Sequence, residues 1–347
     1  MKPTPNRRML IEAAALSAIA AGALLEHRHL QSITADPQHD LLSSPPLGSP
    51  LTVESADGTQ LHAEVFGAAG APTIVLIHGW TEILQYWTYV IDALREDFRV
   101  VAYDLRGHGG SGQAAGGDYS LARFGEDVEA VLAAAVPEGE RAVVAGHSLG
   151  AMSIASWAEH HEVSARASGA ALLFTGLGDL IANQSLFRLP QIAKRVTDPV
   201  GRRVFLGART AVPNRSTPIS HAAIRYFAFG PTATPALVAF YERMLVSCDI
   251  EVRAAAGLAM SEMELHHALA RLTVPTLVMA GQRDRLTPPS HARRVAELLP
   301  DLIDLIVLPE TGHMGPLERP AEVSAALRVL AERGSVAGGG AAARTAA

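Results

Sequence analysis

Arg141-Ala142-Val143-Val144-Ala145-Gly146-His147-Ser148-Leu149-Gly150 is the stretch that decides the fold. Its first half is a short apolar run without alternation, which reads as a strand buried on both faces. Residues 151–160 then carry a helical pattern. Gly146 and Gly150 stand two residues before and two after Ser148. A strand that turns directly into a helix is so tight that side-chain bulk is excluded at both of those positions. The turn lifts the serine hydroxyl clear of the sheet. It also aims the helix N-terminus, with its free N–H groups, at the reacting oxygen. A glycine-bounded turn with an incidental serine has the same spacing, so the rest of the chain must decide between the two.

Outward from this point, other continuous β-branched runs repeat the pattern. They are Thr73-Ile74-Val75-Leu76-Ile77, Arg99-Val100-Val101-Ala102-Tyr103, Ala170-Ala171-Leu172-Leu173-Phe174, Thr276-Leu277-Val278-Met279-Ala280 and Ile303-Asp304-Leu305-Ile306-Val307-Leu308. Helical patterns cover 84–94, 124–136 and 321–332. Upstream, Leu51-Thr52-Val53-Glu54 and residues 61–66 flank the turn Asp57-Gly58 as an antiparallel hairpin. Strands alternating with helices predict an α/β fold, a mostly parallel sheet with helices on both faces. From 178 to 269 the rhythm changes. That stretch is rich in arginine and aromatics and is punctuated by Pro190, Pro199, Pro213, Pro218, Pro231 and Pro235. It predicts helices inserted between two strands of one sheet, a cap of residues 178–269 on a core of 51–177 and 270–333.

The chain has 347 residues, 48% hydrophobic and 18% charged, with a net charge of -6. That composition supports a large core and gives no electrostatic reason to expect nucleic acid as a partner. The one cysteine, Cys248, excludes an intrachain disulfide. No Cys/His cluster has metal-ligand spacing, and neither a metal nor a cofactor is expected. Residues 1–50 stand apart. Arg7-Arg8 before an apolar, alanine-rich run to Leu25 resembles an export signal of the twin-arginine kind. Against that, Glu12 interrupts the run, which is short for a membrane span, and no small-x-small cleavage site precedes Glu26. The readings are export or membrane association at the cell envelope, or a helix packed on a cytoplasmic domain. Residues 31–50 read as a Pro/Ser-rich linker and residues 334–347 as a disordered Gly/Ala tail.

Three further segments follow buried strands directly. Asp284 sits in Gly281-Gln282-Arg283-Asp284-Arg285-Leu286-Thr287-Pro288, and His313 in Glu310-Thr311-Gly312-His313-Met314. Catalytic groups collect at the carboxyl ends of strands in open α/β sheets. His78-Gly79-Trp80-Thr81 ends another strand, where Gly79 lets the Trp80 amide turn inward. Together with the Leu149 amide it would form an oxyanion hole. His78 reads as a brace for this loop. Asp179, after the strand ending near Phe174, competes with Asp284 for the role of acid.

These motifs, with the loop Tyr103-Asp104-Leu105-Arg106-Gly107-His108-Gly109-Gly110-Ser111, resemble the α/β-hydrolase superfamily over roughly residues 51–332. The order Ser148, Asp284, His313 matches that superfamily's triad order. The resemblance implies an acyl transfer to Ser148, with Trp80 and Leu149 as oxyanion donors and Asp104, Arg106 and His108 bracing loops. A serine at the elbow disfavours the aspartate-dependent haloalkane dehalogenases and epoxide hydrolases and the cysteine-dependent dienelactone hydrolases. What it implies is an esterase or lipase-like enzyme acting on a small apolar acyl substrate. Carbon–carbon bond hydrolysis, lactone or thioester hydrolysis and cofactor-free perhydrolysis use the same triad. A non-catalytic ligand-binding protein of this fold is disfavoured, because no triad position is lost.

Overall fold

The computed structural model describes residues 7–178, 180 and 216–345. Its centre is an eight-stranded sheet: β1 (Ser49–Glu54), β2 (Gln60–Phe66), β3 (Thr73–Ile77), β4 (Arg99–Tyr103), β5 (Ala142–His147), β6 (Ala167–Leu173), β7 (Thr276–Gly281) and β8 (Leu302–Leu308). The spatial order is β1-β2-β4-β3-β5-β6-β7-β8. β1 pairs antiparallel with β2, and β2 antiparallel with β4. Every other pairing is parallel. The hairpin and the parallel succession expected from the apolar runs are both present.

Alternation explains why those runs are apolar throughout. Val75, Ile77, Val101, Tyr103 and Val144 pack on one face, with helices Leu121–Ala135 and Leu149–His160. Ile74, Leu76, Val100, Ala102, Val143 and Ala145 pack on the other, with helix Thr88–Leu94 and the buried side of helix Pro320–Thr345. Strands β3 to β7 are covered on both sides, so neither register can be polar there, whereas the edge strands β1 and β8 are partly exposed. The order reverses at β3, which lies between β4 and β5. The crevice at this reversal, beyond the strands' carboxyl ends, is where such sheets gather their reacting groups.

Between β6 and β7 the described residues form helices Pro218–Ala228, Pro235–Ser247 and Ile250–Glu262 and a 3-10 turn, His266–Arg271. Two of the prolines begin helices instead of merely separating them. Pro218 and Pro235 hold the first helical position, where a missing N–H costs nothing, behind the threonine caps Thr217 and Thr234. Residues 179 and 181–215 lie outside the described residues, and with them Asp179, Pro190, Pro199 and Pro213.

Two readings of the termini need correction. Residues 31–50 do not form a plain linker. Helix Arg7–Thr34 runs into them, and helix His39–Ser43 follows. Ile33 and Leu42 are buried, the Asp36 carboxylate accepts the Ala236 amide at 3.0 Å, and Arg243 donates to the Leu42 carbonyl at 3.3 Å. Two apolar anchors in a Pro/Ser-rich background dock the segment on helix Pro235–Ser247, and composition concealed them. The tail is also helical: Pro320–Thr345 continues through most of 334–347. Its alanines have the highest intrinsic helix propensity. Among the described residues, no helix is long and apolar enough to cross a membrane.

Candidate active site

The turn after β5 is strained as its sequence requires. Ser148 has φ +48° and ψ -111°, a conformation that costs a non-glycine residue about 1–3 kcal/mol. Neighbours hold it there. The Ser148 amide donates to the Leu173 carbonyl of β6 at 2.9 Å, and its carbonyl accepts the Thr175 hydroxyl at 3.0 Å. The flanking glycines answer to space. A Cβ on Gly146 would lie 2.4 Å from the Gly150 carbonyl carbon, and one on Gly150 would lie 2.3 Å from the Ile77 carbonyl oxygen.

Asp284 and His313 come from the loops after β7 and β8 and meet directly. His313 Nδ1 lies 2.8 Å from Asp284 Oδ2, which also accepts the Thr287 hydroxyl at 2.9 Å. Asp284 Oδ1 accepts the Leu286 and Thr287 amides at 2.8 and 2.9 Å. The carboxylate is thus fixed in plane with both oxygens occupied, and His313 donates from Nδ1, leaving Nε2 unprotonated when the ring is neutral. Burial pulls the His313 pKa down, but the Asp284 charge and hydrogen bond, aided by Glu82 and Glu318, leave it raised above the ordinary value.

The histidine's own loop is held from several sides. Its amide donates to the Ala228 carbonyl at 2.7 Å, at the end of helix Pro218–Ala228. Glu318 accepts the Gly312 and Gly230 amides at 2.9 and 2.8 Å, and burial pushes its carboxyl up to about 7. The His313 carbonyl lies 2.9 Å from His147 Nε2, and His147 Nδ1 lies 3.0 Å from Glu82 Oε2. Glu82 Oε2 also accepts the Gly79 amide. The sequence reading missed Glu82, His147 and Glu318. The detectable signals were an acid set among Trp80, Ile83 and Leu84 just past a buried strand, and a histidine inside the elbow itself.

The residues assigned to bracing make their braces. The Leu105 amide donates to His78 Nε2 at 2.9 Å, so the His78 proton is on Nδ1, which donates to the Gly79 carbonyl at 2.8 Å. Burial holds the His78 pKa well below the usual histidine range. Asp104 accepts the Leu84 and Gly110 amides, and Arg106 forks onto Asp127 at 2.6 and 2.7 Å. His108 Nε2 accepts the Thr81 amide at 3.3 Å, and burial lowers its pKa to about 4. Trp80 anchors through its ring, donating Nε1–H to the Arg253 carbonyl of helix Ile250–Glu262 at 2.9 Å. Among the described residues, neither the Trp80 nor the Leu149 amide donates to a protein acceptor.

Ser148, His313 and Glu82 face one cavity of about 80 Å³, walled by Trp80, Met152, Met260, Leu286 and Met314. A serine at a strained elbow lining the cavity, a histidine whose Nε2 is free to take a proton, an anchored carboxylate behind it and two unengaged amides can together support attack on a carbonyl.

The family model of the alpha/beta hydrolase fold matches residues 72–320. The chain is 30% identical over 274 residues to the dihydrolipoyllysine-residue acetyltransferase component of the acetoin cleaving system of Pseudomonas putida. That match covers 75% of this chain and 63% of the relative, just under two thirds of its length. It is 27% identical over 246 residues to the bifunctional esterase/perhydrolase of Acinetobacter calcoaceticus, covering 68% of this chain and 83% of that one. A hydrolase from Pseudomonas aeruginosa superposes with a TM-score of 0.64 and 27% identity over 82% of this chain and 98% of its own. The chain belongs to the alpha/beta hydrolase fold family.

Proposed function

We propose that the protein is a serine hydrolase that cleaves a carboxylic ester, or a related acyl bond, of a small apolar substrate through an acyl-enzyme. Ser148 is the nucleophile, His313 the general base and acid, and Asp284 the group that orients it. His313 Nε2 takes the Ser148 proton as the hydroxyl attacks the carbonyl. The Trp80 and Leu149 amides receive the oxyanion, and His313 then protonates the leaving group. Water activated by the same histidine releases the acid. The observation that carries the reading is the 2.8 Å His313–Asp284 contact beside a strained Ser148 on one cavity. The methionine and leucine walls support an apolar acyl group of modest size. A p-nitrophenyl ester series of increasing chain length tests it. The expected result is fastest turnover with short acyl chains and none in Ser148→Ala. Equal turnover in that variant, or none with any ester in the unaltered protein, would refute it. The esterase/perhydrolase relative makes peracid formation, with hydrogen peroxide replacing water at the acyl-enzyme, the second reaction to assay.

A further inference from the structure

We propose that Glu82 and His147 are a positioning pair that locks the catalytic histidine and the oxyanion loop to the nucleophile elbow. The inference rests on the roles proposed above for Ser148 and His313. Three loops that carry reacting groups are distant in sequence, and beyond the ends of their strands buried side chains tie them together. Glu82 Oε2 joins two of them, and His147 links the third. That oxygen accepts the amide of Gly79, the residue before Trp80, and it lies 3.0 Å from Nδ1 of His147, the residue before Ser148. The other ring nitrogen of His147 reaches the His313 carbonyl at 2.9 Å. Both side chains are buried. The His147 ring lies 4.7 Å from the Tyr86 ring and 4.9 Å from that of His313, which leaves it no second orientation with the same partners.

Proton bookkeeping shows that the three contacts depend on one another. A carbonyl can only accept, so His147 Nε2 carries a hydrogen. The line between Nδ1 and Oε2 needs a hydrogen as well. Gly79 has room for no side chain here: a Cβ would lie 2.8 Å from His147 Nδ1, 2.9 Å from Glu82 Oε2 and 3.1 Å from the Ser148 Cβ. A buried pair of this kind is weak support for stability, since apolar residues of similar volume commonly serve as well or better. What it supplies is a fixed distance between the nucleophile, the base and the oxyanion donors. Misplacing a reacting group by about 1 Å can cost roughly 10²-fold in rate.

Substitutions that keep one contact at a time separate this role from simple packing. Asparagine at 147 places its amide nitrogen where Nδ1 was and cannot reach the His313 carbonyl. Glutamine at 147 places its amide nitrogen where Nε2 was and keeps that bond. Glutamine at 82 cannot serve both neighbours: with its oxygen toward Gly79 it offers no proton to His147 Nδ1, and flipped it turns N–H against the Gly79 amide. His147→Asn is expected to lower kcat by roughly 10- to 100-fold with KM within about threefold, and to slow fluorophosphonate labelling in parallel. His147→Gln should recover most of that loss, and Glu82→Gln should lower kcat by about 10-fold. If His147→Asn fails to fold, judged by circular dichroism and thermal melting, the comparison of His147→Gln with Glu82→Gln carries the test. Unchanged kcat in folded His147→Asn or Glu82→Gln, equal losses in both 147 variants, or a loss confined to KM would overturn the proposal. Ser148→Ala run alongside keeps the two claims apart. If Ser148→Ala is inactive and His147→Asn fully active, only the positioning pair fails. If Ser148→Ala stays active, the nucleophile assignment fails.

Discussion

Replacing Asp284 by asparagine should cost about 10⁴-fold in kcat, and the structure explains why the loss is so large for so small a change. Asp284 Oδ1 accepts two backbone amides, from Leu286 and Thr287, and those donors cannot turn away. The asparagine oxygen must stay with them, which directs the new NH₂ group at His313 Nδ1, 2.8 Å from the position of Oδ2. Two donors cannot share that contact. His313 responds by moving its proton to Nε2, the nitrogen that must be unprotonated to receive the Ser148 proton. The general base is then present, in place and in the wrong tautomer. A 10⁴-fold loss corresponds to about 5.5 kcal/mol of transition-state stabilisation. The fold should be nearly unaffected, since the shape and both amide bonds persist. The assay is steady-state ester hydrolysis by Asp284→Asn and Asp179→Asn, each checked by thermal melting. A folded Asp284→Asn protein within 10-fold of the original, with the large loss in Asp179→Asn, would refute the tautomer argument and transfer the role of acid.

Further outcomes follow from the same contacts. Because Asp284 raises the His313 pKa and the neutral ring is the active form, kcat/KM should rise with pH through an apparent pKa above about 6.5. A pH–rate profile checks this, and an acid limb at or below that value contradicts it. Gly150→Ala would drive a methyl against the Ile77 and His78 carbonyls at 2.3 and 2.7 Å, main-chain atoms with little freedom. Urea unfolding should show a loss of at least about 1–3 kcal/mol, and a change under about 0.5 kcal/mol would mean that the elbow is looser than described. A chain starting at Leu51 forfeits the burial of Ile33 and Leu42 and the Asp36–Ala236 bond. At roughly 1.5–3 kcal/mol per buried aliphatic side chain, it should melt several degrees lower. An unchanged melting temperature would show that the docked segment contributes nothing.

The sheet was legible because β3, β4, β5, β6 and β7 are buried on both faces, and only continuous apolar runs satisfy that condition. The elbow was legible because Gly146 and Gly150 answer to backbone atoms too close to admit a Cβ, a requirement written at fixed spacing. Asp284 and His313 could be picked out by their position after β7 and β8. Glu82 could not be read in this way. Its importance comes from joining its own loop to the elbow through one oxygen, with His147 passing the link on to the His313 loop, and no period or motif in residues 78–84 encodes that linkage. His147 was in plain view inside the elbow, but its partners stand 65 and 166 residues away. The docking of residues 31–50 was hidden for a different reason: among the apolar residues only Ile33 and Leu42 are buried, while Leu41 and Leu47 are exposed, and nothing in their spacing separates the two kinds.

The central claim is that Ser148 is the nucleophile, and site mapping of a covalent probe tests it most directly. The full chain is treated with a fluorophosphonate, digested, and the modified peptide sequenced by mass spectrometry, with Ser148→Ala treated in parallel. The account predicts one phosphonylated residue, Ser148, and no labelling of the variant. A modified residue elsewhere in the unaltered protein, or undiminished labelling of Ser148→Ala, would contradict it.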